Sequence, residues 1–392
     1  MYRVVDVVAA MEEWFDPRAA EPWDAVGLVC GDPRNEVERV LLAVDATPAT
    51  VAEAEDRAAG LLITHHPLLL TAVHGVAADQ PKGALVHRMI RSGIAHFVAH
   101  SNAEIARPGV SDALAERLDV RDCDPLEPVP GPPLDKLVVF VPAAAAEGLI
   151  DALADAGAGR LGRYERAAWL GSGTGTFRPL DGSAPAIGTA GRVESVAEVR
   201  VEMVLPPKRR AEVIAALRRA HPYEEPAFDV FGSVALPADR GVGRIGRLAA
   251  PMPLTEFVHH VADRLPAVPA GLRWAGSVDR VVERVALCAG SGGSLIDAAR
   301  ARGADMLLTA DLKHHYGVEA VLQRTGFEPA PMALVDASHW ATEVPWLDTV
   351  AARLADRFGT TVNAVVSLLV TDPWTGSSRA TGTAAPTSTA PS

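Results

Sequence analysis

Short β-branched runs alternate with helical patterns along roughly the first 120 residues. The apolar runs at 38–47, 61–67 and 94–102 have the length and composition of buried strands. Apolar positions spaced three and four residues apart predict helices at 48–60, 82–93 and 110–120. This alternation predicts a mainly parallel sheet with helices on both faces.

The same order of elements returns in the last third of the chain. Buried strands are predicted at 284–290, 305–312, 333–338 and 362–369, with helical patterns between them. The two segments predict two lobes of one α/β body. Lobe 1 would span 1–125 and lobe 2 would span 240–370.

A different composition separates these lobes. The proline-rich stretch DPLEPVPGPP (124–133) is typical of a domain junction. The strand–helix–strand–helix order that comes after it predicts an inserted α+β domain over 126–239. The last segment, 371–392, is rich in Ser, Thr, Pro and Ala and predicts a disordered tail.

Charge and composition narrow the classes of partner. The formal net charge is −12, from 37 basic and 49 acidic residues, which disfavours nucleic acid as a partner. No apolar run approaches the roughly 20 residues of a membrane-spanning helix, so no membrane partner is expected. Three widely spaced cysteines without a CxxC predict reduced thiols in a cytoplasmic protein.

Histidines and carboxylates follow several of the predicted strands. His65 and His66 end the second strand, and the segment from His100 to Glu104 ends the third. In a parallel sheet, binding groups gather at the carboxyl ends of the strands. Two neutral imidazoles there suit Zn, Fe, Mn or Ni, although a histidine pair alone also fits one core and one surface residue.

His339 and Glu343 follow a strand in the second lobe. Residues four apart share one face of a helix, so this pair can offer a nitrogen and a carboxylate to one point. The alternative is a polar first turn in which Glu343 complements the helix dipole. Together with His65, His66 and Glu104, the pair predicts two divalent metal ions in one crevice.

Five blocks carry a resemblance to a known family. They read ITHHP, AHSNAE followed by PGVSDALAERL, TADLKHH and DASHWATE, with PWDAVGLVCGDP near the start. In this order they resemble the GTP cyclohydrolase I type 2 homologue family, also called interacting-factor-three-like dinuclear metal proteins. The middle segment, with AGAGRLGRY, GTGTF and HPYEEPAFDV, is similar to the PII-like (ferredoxin-like) domain of its longer members.

The resemblance implies a set of metal ligands. His65, His339 and Glu343 would hold one ion, and His66, Glu104 and Glu343 the other, with Glu343 as the bridge. The family usually has aspartate at the position of Glu104, which keeps the charge and is one methylene longer.

The resemblance also implies a wider site and an assembly. His100 and His315 would line the pocket as candidate acids or bases, and Thr309 and Asp311 beside them are candidates for substrate binding. A toroidal homohexamer would enclose the metal clefts.

Two functions remain open from the sequence. The first is a metal-dependent hydrolase of a nucleotide or a related small molecule, with GTP ring opening as the version that the family name suggests. The second is a metal-binding regulatory or scaffold hexamer without turnover. Five ligands for two metals would leave coordination positions open, and this favours the enzyme.

Overall fold

The computed structural model describes residues 1–322 and 332–378. The chain divides into two compact units. One unit combines Met1–Val129 with Asp239–Ser392, and the other is Pro130–Ala238. Of the predicted tail, residues 379–392 lie outside the described part of the chain. Thr371 and Asp372, at its beginning, form side-chain hydrogen bonds with Asp45 and Ser338 of the same unit.

The strands are short in the first third of the chain and longer around the second unit. In chain order they are β1 Gly27–Cys30, β2 Arg39–Ala43, β3 Leu61–Thr64, β4 Ala95–Val98, β5 Val120–Pro130, β6 Asp135–Pro142, β7 Ala168–Phe177, β8 Glu194–Leu205, β9 Phe228–Gly232, β10 Pro237–Pro253, β11 Arg273–Ala275, β12 Val281–Ser291, β13 Met306–Ala310, β14 Ala333–Ala337 and β15 Asn363–Val366.

The helices separate most of these strands. In chain order they are α1 Val4–Trp14, α2 Pro48–Asp56, α3 Pro81–Arg91, α4 Ser101–Ile105, α5 Val110–Arg117, α6 Ala146–Asp155, α7 Arg210–Ala220, α8 Leu254–Arg264, α9 Ile296–Ala301, α10 His314–Leu322 and α11 His339–Phe358.

The first sheet has the order β1-β4-β3-β2-β15. Its strands β4, β3, β2 and β15 are parallel, and β1 is antiparallel at one edge. In the register, Ala43 pairs with Thr64 and Thr64 with Val98, so β2, β3 and β4 end at one level. Their carboxyl ends therefore deliver the next residues of the chain to one edge of the sheet.

The second sheet has the order β11-β14-β13-β12-β10-β5. Its central strands β12, β13 and β14 are parallel, and Ala310 pairs with both Ser291 and Ala337. These strands also end level with one another. Strands β5 and β15 cross the predicted lobe boundaries, since β5 joins the second sheet and β15 pairs with β2 in the first.

Apolar side chains join the inner faces of these two sheets into one core. Leu42 and Phe97 of the first sheet and Leu287 and Val335 of the second belong to the same buried cluster. Helix α11 packs within it, and its Trp346 is 1% exposed. The core thus fixes the helix that carries His339 and Glu343.

Local sequence explains the turns that come after the strands. Thr47 accepts the backbone N–H of Thr50 at 3.2 Å and begins α2, with Pro48 in its first turn. Ser338 accepts the backbone N–H of Ala341 at 3.2 Å and begins α11.

The second unit is one antiparallel sheet with two helices on a single face. Its strand order is β7-β8-β6-β9. Alternate residues of β6 and β8, including Val139 and Val201, pack against Leu149 of α6 and Leu217 of α7. The α+β character is as expected, and the resemblance to a PII-like domain stays a prediction.

The mixed α/β class is confirmed, with three sheets and eleven helices over residues 1–322 and 332–378. In this part of the chain no helix combines the length and the apolar character of a membrane crossing.

His96 on β4 is a buried base that the core holds neutral. Thr64 donates its hydroxyl to the backbone carbonyl of His66 at 2.9 Å, so His96 Nε2 donates to Thr64 Oγ1 at 2.8 Å. His96 Nδ1 has no partner among the described residues, and burial lowers the pKa of His96 to about 4.

This histidine makes the free energy of unfolding depend on pH. The unfolded chain takes up the proton near pH 6.5, whereas the folded chain resists it down to about 4. Stability is therefore retained above about pH 6.5 and falls as the pH falls toward 4. Between pH 7 and 5, we expect the wild type to lose about 2 kcal/mol more than His96→Gln, which keeps the donor to Thr64.

Urea unfolding at both pH values measures this difference. The matched control is His74→Gln, the same change at an exposed histidine, which should lose stability as the wild type does. Equal losses in the wild type and His96→Gln would contradict the assignment.

Candidate metal centre

Four histidines face one space, and each has its Nδ1 atom anchored from behind. Two lie in the turn after β3, one after β4 and one at the start of α11. The anchoring distances are His65 Nδ1 to the Ala99 carbonyl 2.9 Å, His66 Nδ1 to Asp45 Oδ1 2.8 Å, His100 Nδ1 to Asp24 Oδ1 2.9 Å and His339 Nδ1 to Asp311 Oδ2 2.6 Å.

These anchors set the tautomer of every ring. A carbonyl or carboxylate oxygen only accepts, so each Nδ1 carries a hydrogen and each neutral ring keeps its lone pair on Nε2. The rings of His65 and His66 are 5.1 Å apart, and that of His339 is 5.1 Å from His66. An imidazole anchored in this way through one nitrogen is the usual form of a metal-ligating histidine.

Glu343 lies at the centre of this group and is 1% exposed. Its Oε1 is 3.4 Å from His65 Nε2 and 2.9 Å from His339 Nε2, and its Oε2 is 3.0 Å from His66 Nε2. Neither carboxylate oxygen has a hydrogen-bond partner among the described residues, and His65 Nε2 has none either. With the rings neutral, lone pairs therefore face lone pairs in a buried space, which is unfavourable unless a cation lies between them.

The pKa shifts of Glu343, His66 and His339 also show that this site favours positive charge. Burial would raise the pKa of Glu343, but His66, His65 and His339 hold it well below the usual range. Burial would lower the pKa of His66 and of His339. Glu343 with Asp45 raises the pKa of His66 to about 10, and Glu343 with Asp311 raises the pKa of His339 to about 11.

The donor set fits divalent metal ions. Imidazole nitrogens with carboxylate oxygens suit Zn, Fe and Mn. Ligand atoms of His66, His339 and Glu343 lie within 4.8 Å of one another, as do those of His65, Glu104 and Glu343. These groups pair His66 with His339 and His65 with Glu104, whereas the family resemblance implied the opposite pairing. Glu343 belongs to both groups, which is the position of a bridging carboxylate.

His100 completes a third group. Its ligand atom lies within the same 4.8 Å of His65 and His66. Asp24 accepts from His100 and, through Oδ2, from the backbone N–H of Ser101 at 2.9 Å and the Ser101 hydroxyl at 2.5 Å. Although burial would raise the pKa of Asp24, these hydrogen bonds hold it far below the usual range, so the carboxylate that orients His100 is ionised.

Gly290 has no side chain, and the space that a side chain would fill is occupied by this cluster. Its φ is +65°, and a Cβ at this position would lie 2.5 Å from Glu343 Oε1 and 3.0 Å from His339 Nε2. Thr309 and Thr342 hold its backbone, because Thr309 donates to the Gly290 carbonyl and the Gly290 N–H donates to Thr342 Oγ1, both at 2.9 Å.

The structure brings most of the sequence-predicted residues together. His65, His66, Glu104, His339 and Glu343 form the cluster, and His100 and Asp311 adjoin it. Thr309 is buried behind Gly290 and does not line the cleft. His315 is exposed on α10 with its ring 5.6 Å from His314, outside the cleft lining.

Sequence reasoning missed Asp24 and Asp45 as anchors, together with their own supports, and named Asp311 only as a candidate for substrate binding. Asp45 follows β2 as His65 follows β3, so the rule about strand ends could have found it. Its second oxygen accepts the hydroxyl of Thr371, and Asp372 accepts that of Ser338 at 2.5 Å. The segment after β15 therefore holds the turns before α2 and α11, although its composition predicts a tail.

A cleft of about 1030 Å³ opens beside the cluster. His66, His100, Glu104 and His339 line its inner end. Farther out are Trp23, which is 59% exposed, Trp374, which is 65% exposed, and Arg273, which forms an ion pair with Asp336.

Comparison with known proteins places the chain in a family. The profile of the Duf34/NIF3 (NGG1p interacting factor 3) family matches residues 2–373. The chain belongs to the Duf34/NIF3 family. This confirms the resemblance that the five sequence blocks carry.

Relatives in the Duf34/NIF3 family have the same extent. A GTP cyclohydrolase 1 type 2 homolog of Mycobacterium tuberculosis is 48% identical over 373 residues, covering 95% of this chain and 96% of the relative. One from Bacillus subtilis is 36% identical over 369 residues, covering 93% and 96%.

Solved structures of similar proteins agree with the fold. A Bacillus cereus protein related to NIF3 is 33% identical, with a TM-score of 0.68 over 95% of this chain and 98% of that one. Staphylococcus aureus SA1388 has a TM-score of 0.79 at 23% identity over the same shares, which supports the fold alone.

The close approach at Gly290 yields a direct test. Gly290→Ala should lower the affinity for Zn²⁺ or Mn²⁺ at least tenfold, because its methyl group would displace Glu343 and His339. Gly303→Ala is a matched control, since Gly303 also has a positive φ, +69°, but has open space at its Cβ position. Titration against a competing chelator measures both. Equal affinities in the two variants would contradict a ligand role for the groups that face Gly290.

Proposed function

We propose that this chain is a dinuclear metal-dependent hydrolase that acts on a nucleotide or a related small molecule. The observation that carries the proposal is the set of Nε2 atoms around Glu343, which demands cations and opens into a cleft. His65, His66, Glu104, His339 and Glu343 would hold two divalent ions, Zn, Fe or Mn. Such a pair supplies a nucleophilic water at neutral pH and polarises the bond that is attacked.

His100 is the best placed residue for proton transfer. Its Nδ1 is committed to the ionised Asp24, and its ring lies 5.1 Å from His65 and 5.6 Å from His66. Nε2 is then the atom that accepts or returns a proton at the cleft wall. Asp24 keeps the ring in this tautomer and stabilises it once it is protonated.

The outer cleft supports a substrate with a flat ring and an anionic group. Trp23 and Trp374 expose aromatic faces on which a heterocycle can stack. Arg273 offers a guanidinium with a largely exposed side chain. Arginine favours phosphate oxygens, which it binds through two parallel hydrogen bonds. The names of the Mycobacterium and Bacillus relatives also suggest a nucleotide as the substrate.

The sequence also leaves open a metal-binding regulatory or scaffold hexamer. Such a protein needs no open coordination position at its metals, whereas an enzyme does. The side chains of His66 and His339 are 25% and 32% exposed toward the cleft, so small molecules can reach this side. A purely structural metal site is closed by protein ligands. Accessibility therefore favours catalysis, and the homohexamer stays part of the proposal on family resemblance.

Metal content and turnover together test the proposal. Elemental analysis of untagged wild-type protein should find about two ions per chain. Glu343→Gln should lose most of this metal, because it removes the shared negative charge at unchanged size. Glu256→Gln, the same change in the first turn of α8, is the control and should retain it.

Turnover is then measured with GTP and other nucleotides in the presence of the metal. His100→Gln should keep the metal content and lose turnover at least a hundredfold, the usual scale of a proton-transfer residue. Full metal content without turnover of any nucleotide would favour the regulatory function. Little metal, unrestored by Zn²⁺, Mn²⁺ or Fe²⁺, would overturn the dinuclear site.

A further inference from the structure

The open face of the sheet in the second unit has a floor built from glycines. Successive residues of a strand point to opposite faces, so Trp169, Gly171, Gly173, Gly175 and Phe177 of β7 share one side. Three consecutive positions on this side thus lack a side chain, with an aromatic residue at each end. The pattern leaves a trench between two aromatic walls.

The glycines differ in what lies over them. The ring of Trp169 covers Gly171, and the carboxylate of Glu198 occupies the place where a Cβ of Gly175 would be. A Cβ at Gly173 would meet no atom within 4 Å, so the floor is open at this point. Glu198 is the partner of Gly173 in the β7–β8 register, and its carboxylate lies over the neighbouring Gly175, beside the open position.

Glu198 is a buried carboxylate without a cation. It is 9% exposed, and its Oε1 accepts the hydroxyl of Tyr223 at 2.8 Å. Burial is the main cause that raises the pKa of Tyr223 to about 12, and the hydrogen bond to this carboxylate is the second. Within the described part of the chain, Glu198 Oε2 accepts no hydrogen bond and no Lys, Arg or His forms an ion pair with Glu198. A buried charge without an opposite charge is costly, so the position favours a cation from outside.

The space above this carboxylate is large enough for an organic molecule. It forms a cavity of about 840 Å³ whose walls include the rings of Phe140, Trp169, Phe177 and Tyr223. The rings of Phe177 and Tyr223 meet edge to face at 5.5 Å. Aromatic faces attract cations and stack on planar groups.

The other charges of the cavity leave Glu198 available. Arg200 lines the wall but is engaged with Glu202 at 2.9 Å on the same strand. Glu224, Glu225 and Arg178 also line the cavity, and Glu224 accepts the backbone N–H of Ala184 at 3.0 Å. The lining therefore carries three carboxylates and two guanidinium groups. The guanidinium of Arg200 is already paired with Glu202.

We propose that this cavity binds a small organic cation with a planar body, such as an aryl amine or amidine. The cationic group pairs with Glu198, and the ring lies over Gly173 between Trp169 and Phe177. All of these residues lie within Pro130–Ala238, and none of them belongs to the metal centre. The cavity makes the second unit a ligand-binding module in its own right.

Calorimetric titration of the full chain with benzamidine tests the proposal. Benzamidine carries a planar ring and an amidinium, benzamide is its neutral analogue, and benzoate is its anionic one. We expect one benzamidine per chain, bound at least tenfold more tightly than benzamide, with no binding of benzoate. Glu198→Gln should reduce the affinity for benzamidine to that for benzamide, whereas Glu194→Gln on the same strand should leave it unchanged.

Filling the trench gives a second variant that does not depend on charge. Gly173→Leu places a side chain in the open space, where its Cβ meets no neighbour, and should abolish binding of benzamidine and benzamide alike. Equal binding of the two probes, or unchanged binding in either Glu198→Gln or Gly173→Leu, would overturn the proposal. Absence of binding together with a lower oligomeric mass for Gly173→Leu would also overturn it, since this face would then be a contact between copies of the chain.

Discussion

The candidate metal centre of this protein depends on one buried carboxylate. Glu343 faces the Nε2 atoms of His65, His66 and His339 at 2.9–3.4 Å and has no hydrogen-bond donor among the described residues. Because their Nδ1 atoms are already used, the rings can satisfy Glu343 only by carrying extra protons or by sharing metal ions with it. The core around α11 keeps this carboxylate out of water, so it cannot relax by turning toward solvent.

The fold brings these groups together by ending two sets of parallel strands at one place. The first sheet supplies His65, His66 and His100 from the turns after β3 and β4, and the second supplies His339 after β14. Each of these histidines comes within two residues of the end of its strand, so the registers of the two sheets and the core between them fix the positions of these side chains.

The sequence could predict the features that arise from local pattern. Strand–helix alternation identifies the α/β class, and the rule about strand ends identifies His65, His66, His339 and Glu343 as residues of one crevice. Local pattern could not place Asp24, which reaches His100 from 76 residues away in the chain. Nor could composition show that Thr371 and Asp372 hold the turns of the site, because their role arises only when β15 pairs with β2 in the first sheet. Gly290 ends a strand that the sequence predicts, but its closeness to Glu343 is a tertiary property.

The most direct test of the proposed dinuclear centre is an anomalous-scattering crystal structure of the chain grown with Zn²⁺ or Mn²⁺. We expect two peaks about 3.5–4 Å apart on either side of the Glu343 carboxylate, each bound by histidine Nε2 atoms. The Nδ1 contacts of His65, His66 and His339 should be unchanged. Absence of both peaks, or metal bound elsewhere while Nε2 atoms donate hydrogen bonds to Glu343, would contradict the assignment.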